Sequence, residues 1–225
     1  MAADRSRDPS PTAPLPRAQQ QERTRAALVD AAATVFAREG FHAASLDDIA
    51  AAAGFTKGAV YSNFANKAGL YLAVLDRTID RVILTERSII DDYAEEVARG
   101  ERSAEEVEAA VRGEVLASLE FVAAAMRDDE LAPQLDERVE RLRQAFVAMA
   151  ERWRAPVDPL SAEDLGTLAF AFQQGIGLAQ GLGIALPAAT IEEAFVRLGT
   201  ARGGPPADGP PADGPAERPA ERPAD

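Results

Sequence analysis

Residues 44–64 constrain the fold of this chain more than any other stretch, because they read as two short helices broken by one glycine. Ser45 is a suitable N-cap for the first helix, and Asp48 three residues later completes the pattern of a capping box. Gly54 supplies a sharp break, since glycine adopts left-handed backbone conformations without a steric penalty. Thr56 is then a second N-cap. A short helix, a tight turn and another short helix predict a helix-turn-helix.

The second of these helices carries most of the side chains that we expect to contact DNA. In a helix-turn-helix the second helix enters the major groove with its N-terminal residues leading. Lys57 and Tyr61 are four residues apart and therefore share a face, whereas Val60 and Phe64 are expected in the core. The alternative interpretation is an ordinary exposed helix. The residues predicted to bind DNA are Ser45, Thr56, Lys57, Gly58, Tyr61, Asn63 and Lys67.

The charge distribution favours DNA contact at the N-terminal end of the chain only. The 225 residues carry a net charge of −13, which is unfavourable near phosphate. Residues 1–77 hold 9 basic and 8 acidic groups, whereas residues 78–225 hold 15 and 29. We therefore expect residues 17–77 to face DNA and the acidic remainder to point away. With no cysteine and one histidine, the chain has no disulfide, thiolate metal site or multi-histidine site.

The spacing of apolar residues predicts an all-α protein, and no segment alternates for long enough to predict a strand. A first helix is expected from Arg17 to Glu39, where Gly40 ends it. A longer helix starts near Asn66 and runs towards Arg99. Its expected buried positions are Leu70, Val74, Thr78, Val82 and Ile89.

Two further capping patterns mark the later helices. Ser103 with Glu106 opens a long helix, whose predicted buried line is Val107, Val111, Val115, Leu119, Val122 and Met126. A seam at spacings of three and four follows at Leu135, Val139, Leu142, Phe146, Met149 and Trp153. Ser161 with Asp164 opens the next helix, and a last one is expected over residues 188–201. The Pro- and Asp-rich repeats of residues 203–225 predict a disordered tail.

The block from Arg25 to Leu70 resembles the DNA-binding domain of the TetR family of transcriptional regulators. The motifs that carry the resemblance are Ala31-Ala32…Phe36…Gly40-Phe41, Ser45-Leu46-Asp47-Asp48-Ile49-Ala50, Ala53-Gly54-Phe55-Thr56-Lys57-Gly58-Ala59-Val60-Tyr61, Phe64, Lys67 and Leu70. Two positions depart from the family pattern. Asn63 stands where histidine is frequent, and Ala44 stands where a hydroxyl side chain is frequent. An asparagine still donates to a phosphate or to an adenine edge.

The resemblance implies an N-terminal three-helix helix-turn-helix domain and a C-terminal helical dimerisation and ligand-binding bundle. We assign residues 1–17 to a disordered segment, 18–66 to the DNA-binding domain and 67–202 to the bundle. The expected function is a ligand-responsive repressor that acts as a homodimer on a palindromic double-stranded operator. A small apolar effector is implied, and the residues expected to line its pocket are Phe121, Met126, Phe146, Met149, Trp153, Phe170 and Gln173.

A charge-free run from Leu165 to Ile191 is long enough to span a membrane. Three glutamines in its middle and Pro187 near its end favour a helix buried between its own domain and a partner subunit instead. The predicted dimer interface is Leu165, Phe172, Ile176, Gly177, Gly181, Ile191, Phe195 and Leu198. The polar N-terminus lacks the apolar core of a signal peptide, so we expect a cytoplasmic protein.

Two other motifs favour different classes of protein. Residues 91–96 resemble an aspartate-rich magnesium motif of helical enzymes, but a second such motif is missing and a solvated acidic face explains them. Residues 175–183 are rich in glycine, but a dinucleotide-binding loop needs a preceding strand. We therefore expect no catalytic residues, metal or cofactor. The alternatives are a regulator without an effector, and a helical enzyme or adaptor in which the helix-turn-helix only packs.

Overall fold

The computed structural model describes residues 16–85, 95–154 and 159–184, together with residues 186 and 190. Within these residues the chain is helical and contains no strand, which confirms the all-α prediction. The predicted tail, most of the predicted helix over 188–201, Ile89 and most of the 91–96 motif lie outside the described residues. The helices whose bounds are described are α1 (Arg17–Ala43), α2 (Leu46–Ala53), α3 (Lys57–Asn63), α4 (Lys67–Thr85), α5 (Ala104–Ala125), α6 (Ala132–Trp153) and α7 (Ala162–Gly181). Residues 95–98 are helical as well.

Serine caps start three of the helices, as the sequence predicts. At α5 the capping box is complete, because Ser103 accepts from the Glu106 amide and the Glu106 carboxylate accepts from the Ser103 amide at 2.7 Å. At α2, Ser45 accepts from the Asp48 amide, but the Asp48 carboxylate bonds to the Ser45 hydroxyl. The complete box predicted there is therefore wrong. The aspartate side chain is one methylene shorter than glutamate and stops at the hydroxyl.

Gly40 produces the predicted break near the end of α1. Its φ of 80° lies in the left-handed region that favours glycine, and three more helical residues follow to Ala43. A carboxylate from α5 occupies the break, since Glu120 Oε2 accepts from the His42 amide at 2.9 Å. The first helix is thus fastened at its C-terminal end to the body of the protein.

The hydrophobic core joins α1, α4 and α5 through a cluster of aromatic rings. Phe121 of α5 is fully buried and stacks on Tyr71 of α4 with ring centroids 4.3 Å apart. Phe41 meets Phe121 edge to face at 5.1 Å, and Phe36 meets Tyr71 at 5.0 Å. Edge-to-face and stacked pairs of this kind add to the gain from burial. The core therefore links the N-terminal helices directly to the C-terminal bundle.

The buried side of α5 differs from the predicted one. Ala117, Phe121 and Ala125 are buried, whereas Leu119 and Met126 are exposed. Helix α5 packs against α1 on one side and against α7 on another. A single line of apolar residues at every fourth position follows one side of a helix, so it does not predict both contacts. Val115, which was predicted to be buried, is half-buried against α7.

Small corrections apply to the neighbouring helices. On α4, Leu70 is buried as predicted, but Val74, Thr78 and Val82 are only half-buried. The deeper contacts come from Tyr71, Leu72 and Ile79. On α6, Leu135, Phe146 and Met149 are buried as predicted, while Val139 is exposed. Among the described helices, none is both long and apolar enough to cross a bilayer.

Candidate nucleic-acid interface

Helix α3 is held in a fixed orientation by contacts on its inner side and at both ends. The Thr56 hydroxyl accepts from the Ala59 amide at 3.3 Å and caps its start. Val60 is fully buried beneath it, and Phe64 is buried just beyond its end. Arg25 of α1 lies 4.2 Å over the Phe64 ring and donates to the Asn63 carbonyl at 3.0 Å. The inner face and both ends of α3 thus contact the rest of the protein. The opposite face of the helix is exposed.

The open face of α3 carries the residues predicted to read DNA. Thr56, Lys57, Gly58 and Tyr61 are all exposed, with Tyr61 53% accessible. An exposed tyrosine offers a partner both an aromatic ring and a hydroxyl group. The Lys57 ammonium lies 5.9 Å from the Tyr61 ring centroid. The helix therefore presents one cation, one aromatic ring and a stretch of backbone without a bulky side chain.

Lys57 has a carboxylate partner from the neighbouring helix. Its Nζ lies 2.8 Å from Asp47 Oδ2 at the start of α2. The hydrogen bond and the charge of Asp47 raise the pKa of Lys57 above its ordinary value. Lys57 therefore remains an ammonium group, and in the free protein that group already has an anionic partner.

Two other predicted contact residues are engaged within their own helices. The Asn63 side-chain amide donates to the Ala59 carbonyl at 2.8 Å, so it closes the last turn of α3. Ser45 is half-buried and its hydroxyl bonds to Asp48. To contact DNA, Asn63 and Ser45 must either accept a hydrogen bond with their side-chain oxygen atoms or break the bonds described here.

Lys67 binds protein carbonyls in the described structure. Its Nζ donates to the carbonyl oxygens of His42 at 2.8 Å and Ala44 at 2.9 Å, and it lies 5.0 Å from the Phe41 ring centroid. Burial lowers the pKa of Lys67, and the charge of Glu120 acts in the opposite direction. A cation at the last carbonyls of a helix satisfies acceptors that the helix leaves open. Lys67 thus fastens the end of α1, a role that the prediction of DNA binding does not include.

Sequence reasoning also missed Arg25 and Asp47 as parts of this region. Arg25 is one of several arginines near the start of α1, and nothing in its spacing singles it out. Asp47 belongs to the family pattern, which predicts no partner for it. General chemistry does predict partners of these two kinds. The last carbonyls of α3 need a hydrogen-bond donor, and the Lys57 ammonium favours a carboxylate.

The residues predicted to line an effector pocket fall into two separate places. Phe121 belongs to the aromatic core beside α1 and α4, and Met126 is 74% exposed at the end of α5. Phe146 and Phe170 meet between α6 and α7 with centroids 6.0 Å apart. Met149 is buried on α6, and Gln173 is half-buried on α7. The side chain of Trp153 lies outside the described part.

The predicted dimer residues on α7 also divide. Ile176 is buried within the chain, and a Cβ on Gly181 would lie 2.7 Å from Val115 Cβ, so both face the chain's own helices. These two positions therefore leave little surface for a partner subunit. Leu165, Phe172 and Gly177 are half-buried. Ile191, Phe195 and Leu198 lie outside the described residues.

A different line of residues on α7 is exposed. It runs at spacings of three and four, the repeat of a packed helix seam, and Leu168 and Leu182 in it are 58% and 71% exposed. We call this line the α7 seam; its members are Leu168, Ala171, Gly175, Leu178 and Leu182.

Comparisons with known proteins agree with the helix-turn-helix geometry. Residues 28–74 match the model of bacterial regulatory proteins of the tetR family. The transcriptional activator FasR of Mycolicibacterium smegmatis is 43% identical over 63 residues, which cover 28% of this chain and 29% of FasR. The transcriptional repressor ComR of Escherichia coli is 46% identical over 57 residues, covering 25% and 27%. The chain thus aligns with less than a third of the length of either relative.

A solved structure extends the likeness of fold beyond this domain. A protein from Mesorhizobium loti, described as a TetR-family transcriptional regulator, superposes with a TM-score of 0.51 at 18% identity. The superposition covers 81% of this chain and 97% of that one. At this identity the likeness concerns the fold, while the sequence match rests on the N-terminal domain. Residues 28–74 of the chain thus match the tetR family of bacterial regulatory proteins.

Proposed function

We propose that the chain is a transcriptional regulator that binds a palindromic DNA operator as a homodimer in the cytoplasm. The observation that carries the proposal is the open face of α3, where Lys57 and Tyr61 lie exposed above a buried Val60. A short helix anchored from below and free above has the form needed to enter a major groove. The relatives that share this domain are named as an activator and a repressor.

Removing either exposed side chain tests the reading face. We expect Lys57→Ala and Tyr61→Ala each to weaken DNA binding by about tenfold, the cost of about 1.4 kcal/mol for a lost groove or phosphate contact. Because both residues are exposed, the free energy of unfolding should change by less than about 0.5 kcal/mol. The measurements are fluorescence anisotropy with labelled duplex and thermal unfolding.

Arg112→Ala on α5 is the matched control, since it removes one exposed cation far along the chain from α3. It should leave DNA affinity within about twofold of wild type, because Arg112 pairs with Glu108 of its own helix and is not part of the open face of α3. If all three variants lose affinity equally, binding depends on total charge and α3 is not the reading helix.

We place the homodimer contact at the α7 seam. Three leucines spaced along one exposed face, with Gly175 open to close approach between them, suit a symmetric helix pair. Four-helix contacts of this kind bury apolar residues at spacings of three and four. Two subunits joined there present two copies of α3, as two half-sites require.

A charge within the seam should separate the subunits. Leu178→Glu places two carboxylates against each other in the dimer, and each buried, unpaired charge costs several kcal/mol. We expect sedimentation velocity at micromolar concentration to show a dimer for wild type and a monomer for this variant. Leu119→Glu is the matched control, because Leu119 is similarly exposed but lies on α5. A wild-type monomer, or a dimer split only by the control, would contradict this interface.

We further propose that the regulator is a repressor released by a small apolar effector bound between α6 and α7. The Phe146–Phe170 contact provides aromatic surface at that place, and pockets for small ligands are lined mainly by such residues. An effector acts only through unequal affinity for two states of the dimer. A reporter gene placed downstream of the bound operator distinguishes repression from activation. For a repressor, reporter expression should rise when the gene for this chain is deleted.

A further inference from the structure

The ion pair between Asp47 and Lys57 joins the starts of two helices. Asp47 is the second residue of α2 and Lys57 is the first residue of α3. Their charged atoms are 2.8 Å apart, and both side chains are 58% exposed. Exposed ion pairs add little to stability, and the packing of these helices rests on buried residues such as Ile49 and Val60. The pair is therefore not needed to hold the fold.

The same pair lies within the surface that would meet DNA. The N-terminal residues of the second helix lead into the groove, and Lys57 is the first of them. A carboxylate at hydrogen-bond distance from that lysine is also close to any phosphate or base acceptor that the lysine approaches. Asp47 therefore repels phosphate and competes with DNA for the Lys57 ammonium.

We propose that Asp47 is a specificity determinant for DNA binding, because it withholds Lys57 from random DNA and orients it for the operator. This inference rests on the proposed function. Non-specific binding depends almost entirely on attraction between cations and phosphates. The repulsion from a nearby carboxylate therefore lowers the affinity for random DNA, and no other contact offsets this loss. On the operator, the pair has already fixed the direction of the lysine side chain, and this pre-organisation offsets part of the repulsion.

Neutralising Asp47 should therefore change the two kinds of binding unequally. The test uses duplexes that the wild-type protein enriches from a random library, and a random duplex of equal length at the same salt. We expect Asp47→Asn to tighten binding to the random duplex by roughly tenfold, while operator affinity changes by about twofold or less. The ratio of the two affinities should fall about fivefold or more.

Asp48→Asn is the matched control, because it removes the same charge one residue later. Its carboxylate bonds to the Ser45 hydroxyl, so we expect both affinities to rise by a similar factor and their ratio to persist. A second arm repeats Asp47→Asn in a Lys57→Ala background. There the substitution should leave the ratio unchanged, since the lysine that Asp47 withholds is absent. Circular dichroism confirms that each variant is folded.

The outcomes separate this inference from the proposed function. If the wild-type protein enriches no sequence, the proposed function fails and the inference fails with it. If sequences are enriched but Asp47→Asn tightens both duplexes equally, only the inference is wrong. An equal fall in ratio for Asp47→Asn and Asp48→Asn, or a fall that persists without Lys57, would also overturn it.

Discussion

Gly113→Ala should destabilise the protein by roughly 2–4 kcal/mol, although alanine is the better helix former. Gly113 lies in the middle of α5 where this helix crosses α1. A Cβ there would overlap the carbonyl oxygen of Ala37 and lie 2.8 Å from its carbonyl carbon. Both obstructing atoms are backbone, so the helices must separate and open the aromatic core. For a chain of this size, the loss should lower Tm by roughly 4–16 °C.

Gly69→Ala is the control for this prediction. It makes the same substitution in a helix, but the added methyl meets only Asn66 Oδ1 at 3.5 Å, an ordinary contact. We expect its free energy of unfolding to stay within about 0.5 kcal/mol of wild type or to rise slightly. Equal effects of the two alanines in thermal unfolding would mean that α1 and α5 are not in the close contact described.

Phe121→Ala should cost about 3–5 kcal/mol, the range for removing a buried aromatic side chain. The ring is fully buried and contacts Tyr71 and Phe41, which belong to the N-terminal half of the chain. Alanine would leave a cavity lined by rings that cannot fully collapse into it. Chemical denaturation, with the midpoint and slope fitted together, measures the loss.

Leu119→Ala is the neighbouring control on the same helix. Leu119 is half exposed, so its truncation should change stability by less than about 0.5 kcal/mol. The sequence pattern alone predicts a larger loss for Leu119→Ala, because it places Leu119 on the buried line. If Leu119→Ala lowers the free energy of unfolding more than Phe121→Ala does, Leu119 is on the buried side of α5. That result would contradict the packing of α5 described above.

Together these contacts explain how the N-terminal helices are connected to the bundle. Glu120 accepts from the His42 amide, and Lys67 binds the adjacent carbonyls of His42 and Ala44. The end of α1 is therefore held by a carboxylate from α5 and an ammonium from α4. This junction lies directly before Ser45, the N-cap of the first helix of the helix-turn-helix.

Local chemistry made the helix-turn-helix predictable from sequence. Ser45, Gly54 and Thr56 act through bonds or dihedral angles confined to a few neighbouring residues, and the structure confirms each of these roles. The complete capping box predicted at Ser45 does not form, because the Asp48 side chain is shorter than that of Glu106. It bonds to the Ser45 hydroxyl, whereas Glu106 accepts from the Ser103 amide. Such features need no knowledge of the distant chain.

Contacts between distant segments were not predictable in the same way. The buried side of α5 depends on where α1 and α7 cross it, and a single apolar period cannot describe two crossings. The family motif predicts that Lys67 binds DNA. The carbonyls that it binds come from residues 23 and 25 positions earlier. The same limit hid the Asp47–Lys57 pair, which spans the turn between two helices.

We propose that this chain recognises a particular DNA sequence through α3 of two subunits. The decisive measurement is selection from a random duplex library, followed by sequencing. We predict a palindrome whose half-sites are centred about one helical turn, or a multiple of it, apart, roughly 34–36 Å per turn. The enrichment should disappear for the Lys57→Ala, Tyr61→Ala double variant. No enriched sequence, or equal enrichment by that variant, would contradict the claim.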